Sequence, residues 1–433
     1  MKTIFFFIAG LATLCLNAQG EVHNKLDTLL NRLEENNNMM GGLVISTPEG
    51  IDYQRALGFA NVEQEVPNTL QTRFRIGSIS KTFTALIIMQ LLEEGKLTLN
   101  QTLSDFFPEL PNAQTITLKQ MLGHRSGLYN FTNAEQYSTY MEEVKSRQEM
   151  LTLIKEGGTV FKPGEKMEYS NTNYVLLSFI AEDLEQQSFA EIFKKRIAQP
   201  LKLENTFIEE SGQTAQKAES YYWNGTWQVA THTDPSIPMG AGAVLSTPQE
   251  LNRAFKAIFS HALCSTENLK LMKEEHLGLF QYPLGEIIAY GHNGGIDGYM
   301  SNAAYFPTEG VTVVFLGNGM NYSLNQMMLG VLSIYFEQPY RLPTFGESIT
   351  VAPAILEQYV GLYKSASFPR DINLSVENGQ LKAQATGQPA FTLEAKSKVL
   401  FTFPPAGLEI EFGQRGQFTL RQGGQVIEFV REG

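Results

Sequence analysis

Ser78 and Lys81 form the single Ser-x-x-Lys pair of this 433-residue chain. Side chains at i and i+3 of a helix share one face, so a hydroxyl and an amine come within hydrogen-bond reach. If Ser78 opens the helix, its oxygen stands among unpaired backbone N–H groups at the positive end of the dipole, where a developing oxyanion is favoured. The residues that follow, Phe83 to Leu92, are apolar nearly all round. That predicts a buried helix over about 79–93, closed by Gly95. A lysine buried near its start has a reason to lose its proton and act as a base.

Two further groups suit the same chemistry. Tyr169-Ser170-Asn171 follows the Lys162-Pro163-Gly164-Glu165 turn and precedes a helical run, Val175 to Leu184. A phenol beside an activated serine can pass a proton to a leaving group, and an asparagine there can orient Lys81 and bond a substrate amide. Tyr222-Trp223-Asn224 has the same spacing but reads as a surface loop. Gly291-His292-Asn293-Gly294-Gly295 lies just before the closing strand pair. Gly294 and Gly295 would let a substrate backbone lie against the strand edge, with Gly295 offering an N–H to the oxyanion and His292 pointing inward.

The elements around these residues predict an α+β fold. Strands at 42–47 and 52–60 flank a Pro48-Glu49-Gly50 turn, 117–185 is largely helical, and 300–306 and 311–317 pair around Thr308-Glu309-Gly310. Strands at both ends of a region with helices between them suit an antiparallel sheet flanked by helices, with a helical subdomain.

In the order Ser-x-x-Lys, Tyr-x-Asn, His-x-Gly, the chain resembles the serine β-lactamase and penicillin-binding-protein-like superfamily. Within it, the likeness is to the class C β-lactamase-related branch of DD-peptidases, D-aminopeptidases and esterases. Longer stretches carry the same likeness: Phe74 to Lys81, Ile116 to Leu128 with its Ser126-Gly127-Leu128, and Gly240 to Pro248. It covers about residues 24–335. The resemblance implies Ser78 as nucleophile, Lys81 as its activator and Tyr169 as proton shuttle. Asn171, His292 and Gly294 would line the substrate site, and the N–H groups of Ser78 and Gly295 would hold the oxyanion. It implies acylation and hydrolysis of an amide or ester with no metal and no cofactor. The familiar β-lactamases carry lysine where this chain has His292, and histidine is charged only part of the time near neutral pH. That favours a peptidase or amidase, with a β-lactamase or esterase behind it. A penicillin-binding sensor that acylates and deacylates slowly is the reading from another class.

Composition bounds the rest. Net charge is −12, against a nucleic-acid partner, and leaves a small molecule or peptide as substrate. Lys2, an apolar run from Ile4 to Leu16 and a small residue at Ala18 describe an export leader over 1–18, pointing to a periplasmic or secreted protein. Leu14 is bulky where lipoprotein signals have a small residue, which argues against lipid attachment at Cys15. Cys264 then stands alone and reads as an inert core residue. No later run is long enough to span a membrane, and the sequence leaves the oligomeric state open. The catalytic domain is expected over 19–336 and a Pro-punctuated linker over 337–354. Residues 355–433 alternate apolar and polar between turn signals, an all-β barrel or sandwich resembling the lipocalin-like domains appended to some relatives.

Overall fold

The structure is a computed structural model and describes residues 4–210, 216–345, 348–413, 416–422 and 425–432. The chain divides into two compact units, Met39–Met320 and Met1–Asn38 with Asn321–Gly433.

The unit Met39–Met320 is built on an antiparallel sheet. Its strands are β1 (Met39–Thr47), β2 (Gly50–Leu57), β3 (Phe280–Leu284), β4 (Ile287–Ile296), β5 (Tyr299–Phe306) and β6 (Val311–Met320). Their spatial order is β3-β4-β5-β6-β1-β2, so the first strands of the unit close onto the last. β1 is buried along nearly all its length, as an interior strand should be. The helix Pro248–Phe259 packs across β1, β5 and β6. It starts as its sequence says: Thr247 Oγ1 accepts from the Glu250 N–H, and proline occupies the first turn.

Helix α1 (Ser80–Glu93) is the core of the helical layer, and all its apolar residues except Leu92 are buried. It ends at Gly95 (φ +69°), with the Lys96 N–H on Leu91 O and the Gly95 N–H on Leu92 O. Helix α2 (Asn171–Glu185) and the short α3 (Met239–Gly242) pack on it. Gly240 is what allows this: a Cβ there would lie 2.7 Å from Ser178 Cβ and 2.9 Å from Thr84 Oγ1. Residues 117–185 are less helical than expected. They hold Leu118–Leu122, Tyr137–Tyr140, Arg147–Gly157 and α2, and the gaps contain glycines at positive φ, Gly127, Gly158 and Gly164.

In the other unit, helix Ile4–Glu35 packs on helix Leu324–Tyr335. The expected leader, 1–18 with Cys15, begins in residues 1–3, which with the Cys15 side chain lie outside the described residues. Among the described residues no helix is long and apolar enough to cross a membrane. The expected all-β module is a barrel. Its strands run from Gly361–Lys364 to Gln425–Arg431, pairing antiparallel with their sequence neighbours except between Phe391–Thr392 and Glu394–Ala395, and the last pairs with the first. Closure falls at residues 391–395. Phe391–Thr392 bonds the strand Gln380–Ala385, and after Leu393 the same chain, Glu394–Ala395, bonds Leu400–Phe403. Leu374, Ile410 and Phe429 are buried in its interior, beside a cavity of about 350 Å³ lined by Ile372, Leu408 and Leu420.

Candidate active site

Ser78 sits in a single 3₁₀ turn, Gly77–Ile79, that leads into α1, so the helix begins just after it. Gly77 has φ +50°, and a Cβ there would fall 2.8 Å from the Gly295 nitrogen. The backbone before the nucleophile is thus pressed against β4, and a larger residue would force them apart.

Lys81 lies one turn further on and is wholly buried. Its Nζ is 2.9 Å from Ser78 Oγ and 2.8 Å from Ala241 O, and it stands over the rings of Tyr169 and Tyr174 at 4.9 and 5.8 Å. Burial holds its pKa well below the usual lysine value. The sequence expectation that Asn171 orients Lys81 is met instead by Ala241, from the glycine-rich segment. The Asn171 side-chain amide donates to Thr132 Oγ1 at 3.0 Å, and its backbone N–H donates to Asn130 Oδ1.

Tyr169 comes from the segment before α2. Burial pushes its phenol above the ordinary tyrosine range, and a hydrogen bond with Ser78 offsets part of that rise. Its ring stacks on His124 at 4.3 Å between centroids. His124 is buried at φ +55°, accepts the Ser170 N–H on Nδ1 at 3.1 Å, and has its pKa lowered chiefly by burial. Its ring therefore shelves the phenol without charging the site. The motif Gly123-His124-Arg125-Ser126 was visible in the sequence, but nothing in its spacing pointed to a contact with Tyr169.

His292, on β4, is 3% exposed, with its ring 6.4 Å from that of Tyr169 and 4.9 Å from Phe280. Nδ1 is 2.5 Å from Asn293 O, so it must carry the proton, and Nε2 is left as a buried acceptor without a protein partner. Burial pushes its pKa down to about 3. It is a neutral ring and no substitute for a fixed cation.

The two glycines after it differ. A Cβ on Gly294 would lie 2.0 Å from Ile76 O and 2.3 Å from Ser301 Oγ, so this glycine admits the nucleophile segment rather than a substrate. Gly295 is exposed and lines a cavity of about 300 Å³ together with Ser78 and Asn171. Phe131, Tyr137 and Tyr222 supply aromatic walls. Among the described residues the lining carries no lysine or arginine. Tyr222 corrects the surface-loop expectation. It belongs to a hairpin, Tyr221–Trp223 with Trp227–Val229, joined at Asn224-Gly225-Thr226. The Asn-Gly pair between aromatic runs was the available signal.

Cys264 is buried with its thiol pushed up to about 11, consistent with an inert core residue.

A family model described as Beta-lactamase matches residues 27–327. Penicillin-binding protein 4* of Bacillus subtilis (strain 168) is 25% identical over 448 residues, covering 94% of this chain and 98% of that protein. Teichoic acid D-alanine hydrolase of Staphylococcus aureus is 28% identical over 270 residues, 61% of this chain and 66% of that protein. Among solved structures, the octameric penicillin-binding protein homologue from Pyrococcus abyssi superposes with a TM-score of 0.69 at 23% identity, over 94% of this chain and 99% of that one. D-amino acid amidase from Ochrobactrum anthropi SV3 gives 0.66 at 23%, over 73% and 99%. At such identity the structures speak for the fold alone. The family match spans the whole of the unit that carries Ser78, Lys81 and Tyr169, and on it the chain is a member of the beta-lactamase family.

Proposed function

We propose that this chain is an exported serine hydrolase that cleaves an amide or ester through an acyl-Ser78 intermediate, with D-aminoacyl amides or esters as its substrate class. The observation that carries the reading is the 2.9 Å approach of a wholly buried lysine amine to Ser78 Oγ. An uncharged amine can take the hydroxyl proton; a charged one cannot.

The shifts at the two groups divide the labour. Lys81 is lowered, so it serves as base; Tyr169 is raised, so it stays a phenol and serves as acid. Ser78 Oγ bonds to the carbonyl carbon as its proton passes to Lys81 Nζ. The carbonyl oxygen takes the electron pair and is held by the N–H groups of Ser78 and Gly295. Collapse breaks the bond to the leaving group, which takes a proton from Tyr169, and Lys81 returns one to the phenolate. Water then hydrolyses the ester by the reverse sequence. Asn171, on the cavity wall, would meet the substrate amide.

The substrate class rests on two supports. Relatives by sequence and by fold include a D-alanine hydrolase and a D-amino acid amidase. The cavity wall offers no fixed cation to a substrate carboxylate, and His292 is neutral. The second disfavours penicillins relative to aminoacyl substrates. The leader-like 1–18 supports export, and the nearly closed barrel supports an appended lipocalin-like domain over 355–433, with the catalytic domain over 19–336 and a linker over 337–354.

The test is a panel of D- and L-phenylalanine amide, D-alanine methyl ester and nitrocefin. D-aminoacyl substrates should turn over fastest, and Ser78→Ala should abolish turnover of every member. Preferred hydrolysis of nitrocefin would overturn the substrate class; activity surviving in Ser78→Ala would overturn the mechanism.

A further inference from the structure

A buried cluster of charges lies beside the nucleophile segment, outside the groups that do the chemistry. Arg75, 1% exposed, precedes Ser78 by three residues. Its Nε donates to Glu209 Oε2, and its Nη1 donates to Asp297 Oδ2 at 2.9 Å and to Thr233 O at 2.6 Å. Glu209 also pairs with Lys217 at 2.6 Å, so two cations meet two carboxylates. Asp297 sits at φ +52° in the turn between β4 and β5, two residues past Gly295. It accepts from Thr233 Oγ1 at 2.7 Å and from the Thr233 N–H at 3.2 Å.

We propose that the Arg75–Asp297 pair is a positioning device that fixes the separation of the Ser78 and Gly295 N–H groups. The proposal rests on the serine-hydrolase reading above. One N–H follows Arg75 by three residues and the other precedes Asp297 by two, so the pair ties together the two strands of chain that carry them. The hold has three points. Gly77 touches Gly295, Ser301 Oγ donates to Ile76 O at 2.8 Å, and the ion pair closes the far end. Of the three, only the ion pair is charge-assisted and directional, and it is dry. Thr233, which lines the cavity, is locked into the same ring through both its backbone groups.

An apolar pair of similar size would fill this space as stably as a buried ion pair. What it would lack is direction. Removing one preorganised oxyanion donor costs about 10²–10³ in kcat, so a displacement of one strand against the other is read sensitively by the rate. Asp297 also lines the cavity, but its carboxylate is 1% exposed and is taken up by Arg75 and Thr233, so the pair acts by positioning.

The experiment compares Asp297→Ala, Asp297→Asn and Glu209→Gln in the full chain. Each is normalised to the sites that a fluorophosphonate labels at completion, and assayed with D-phenylalanine methyl ester. Asp297→Ala should lower kcat by about 30- to 300-fold with KM within about threefold. Its inhibition constant for phenylboronate, which places an oxygen in the same hole, should rise by a similar factor. Asp297→Asn keeps the hydrogen-bond acceptor and should lie between Asp297→Ala and the parent; it carries the test if the alanine variant does not fold. Glu209→Gln acts on the same arginine through Nε and not through the turn that follows Gly295, and should lower the melting temperature while leaving kcat within about threefold. The proposal is overturned by an Asp297 variant whose kcat and boronate affinity match the parent, or by Glu209→Gln losing as much kcat as Asp297→Ala. A parent whose turnover survives Ser78→Ala would defeat the hydrolase reading itself; a Ser78-dependent parent with unimpaired Asp297 variants would defeat this inference alone.

Discussion

The unit that carries Ser78 and the C-terminal barrel bury their groups by different rules. In the barrel, nearly all the buried groups are apolar, Leu374, Ile410 and Phe429 among them, and ion pairs such as Lys364–Glu432 stay half in solvent. Its positive-φ positions include Asn378 and Gly379, an ordinary Asn-Gly hairpin turn. In the other unit Lys81, Arg75, His124 and His292 are all buried, and His124 and Asp297 hold left-handed backbone. Burying polar groups and bending non-glycine residues into that region both cost stability. The barrel buries apolar groups almost throughout, whereas the Ser78 unit forgoes some stability to bury an amine 2.9 Å from a hydroxyl.

The largest effect that could break this contrast is at Lys81. Lys81→Met should remove nearly all hydrolysis, by about 10³-fold or more. The same change should raise the melting temperature at pH 7. The folded pKa of Lys81 is lowered, so the unfolded chain binds a proton that the folded chain does not, and stability attributable to this group increases with pH until about 10.4. The advantage of the methionine variant should therefore shrink between pH 7 and 10. Thermal melts at several pH values check it; a variant less stable than the parent throughout would remove the idea that the amine is held at a cost.

A smaller effect sharpens the division of labour. Tyr169→Phe should slow hydrolysis by about 10²–10⁴-fold, the range for lost acid–base assistance. Because the phenol is raised, the parent's rate should fall as pH is lowered and Lys81 protonates, yet hold through the ordinary tyrosine value of about 10. A pH–rate profile measures both limbs, and a basic limb that disappears in Tyr169→Phe would make the phenolate the base instead.

The smallest expected effect on catalysis comes from the barrel. Phe429→Ala opens a cavity in its core and should cost about 3–5 kcal/mol of that unit's stability. Turnover per labelled Ser78 should stay within about threefold. A loss as deep as that of Tyr169→Phe, with the barrel still folded, would show that the barrel takes part in catalysis.

What was legible in the sequence follows the same contrast. Alternation and turn residues announced the barrel, since its longer strands, such as Leu408–Phe412, obey the local period; the junction around Leu393 did not show, because a two-residue strand has no period. Ser78, Lys81 and Tyr169 were legible because one helical turn and one helix start place them. Contacts between distant segments were not. Ala241 holding the amine, His124 under the phenol, Tyr222 on the cavity wall and Arg75 bridging to Asp297 join residues far apart in the chain, and no local spacing encodes them. Gly294 was found for the wrong reason: its missing Cβ makes room for Ile76 O rather than for substrate.

The central claim is that Ser78 Oγ becomes acylated because Lys81 takes its proton. The direct measurement is mass spectrometry of the protein quenched during turnover of D-phenylalanine methyl ester, followed by peptide mapping. An acyl adduct on the peptide bearing Ser78, absent in Ser78→Ala and strongly slowed in Lys81→Met, is the predicted result. Steady turnover with acyl carried by another residue, or undiminished acylation in Lys81→Met, would contradict it.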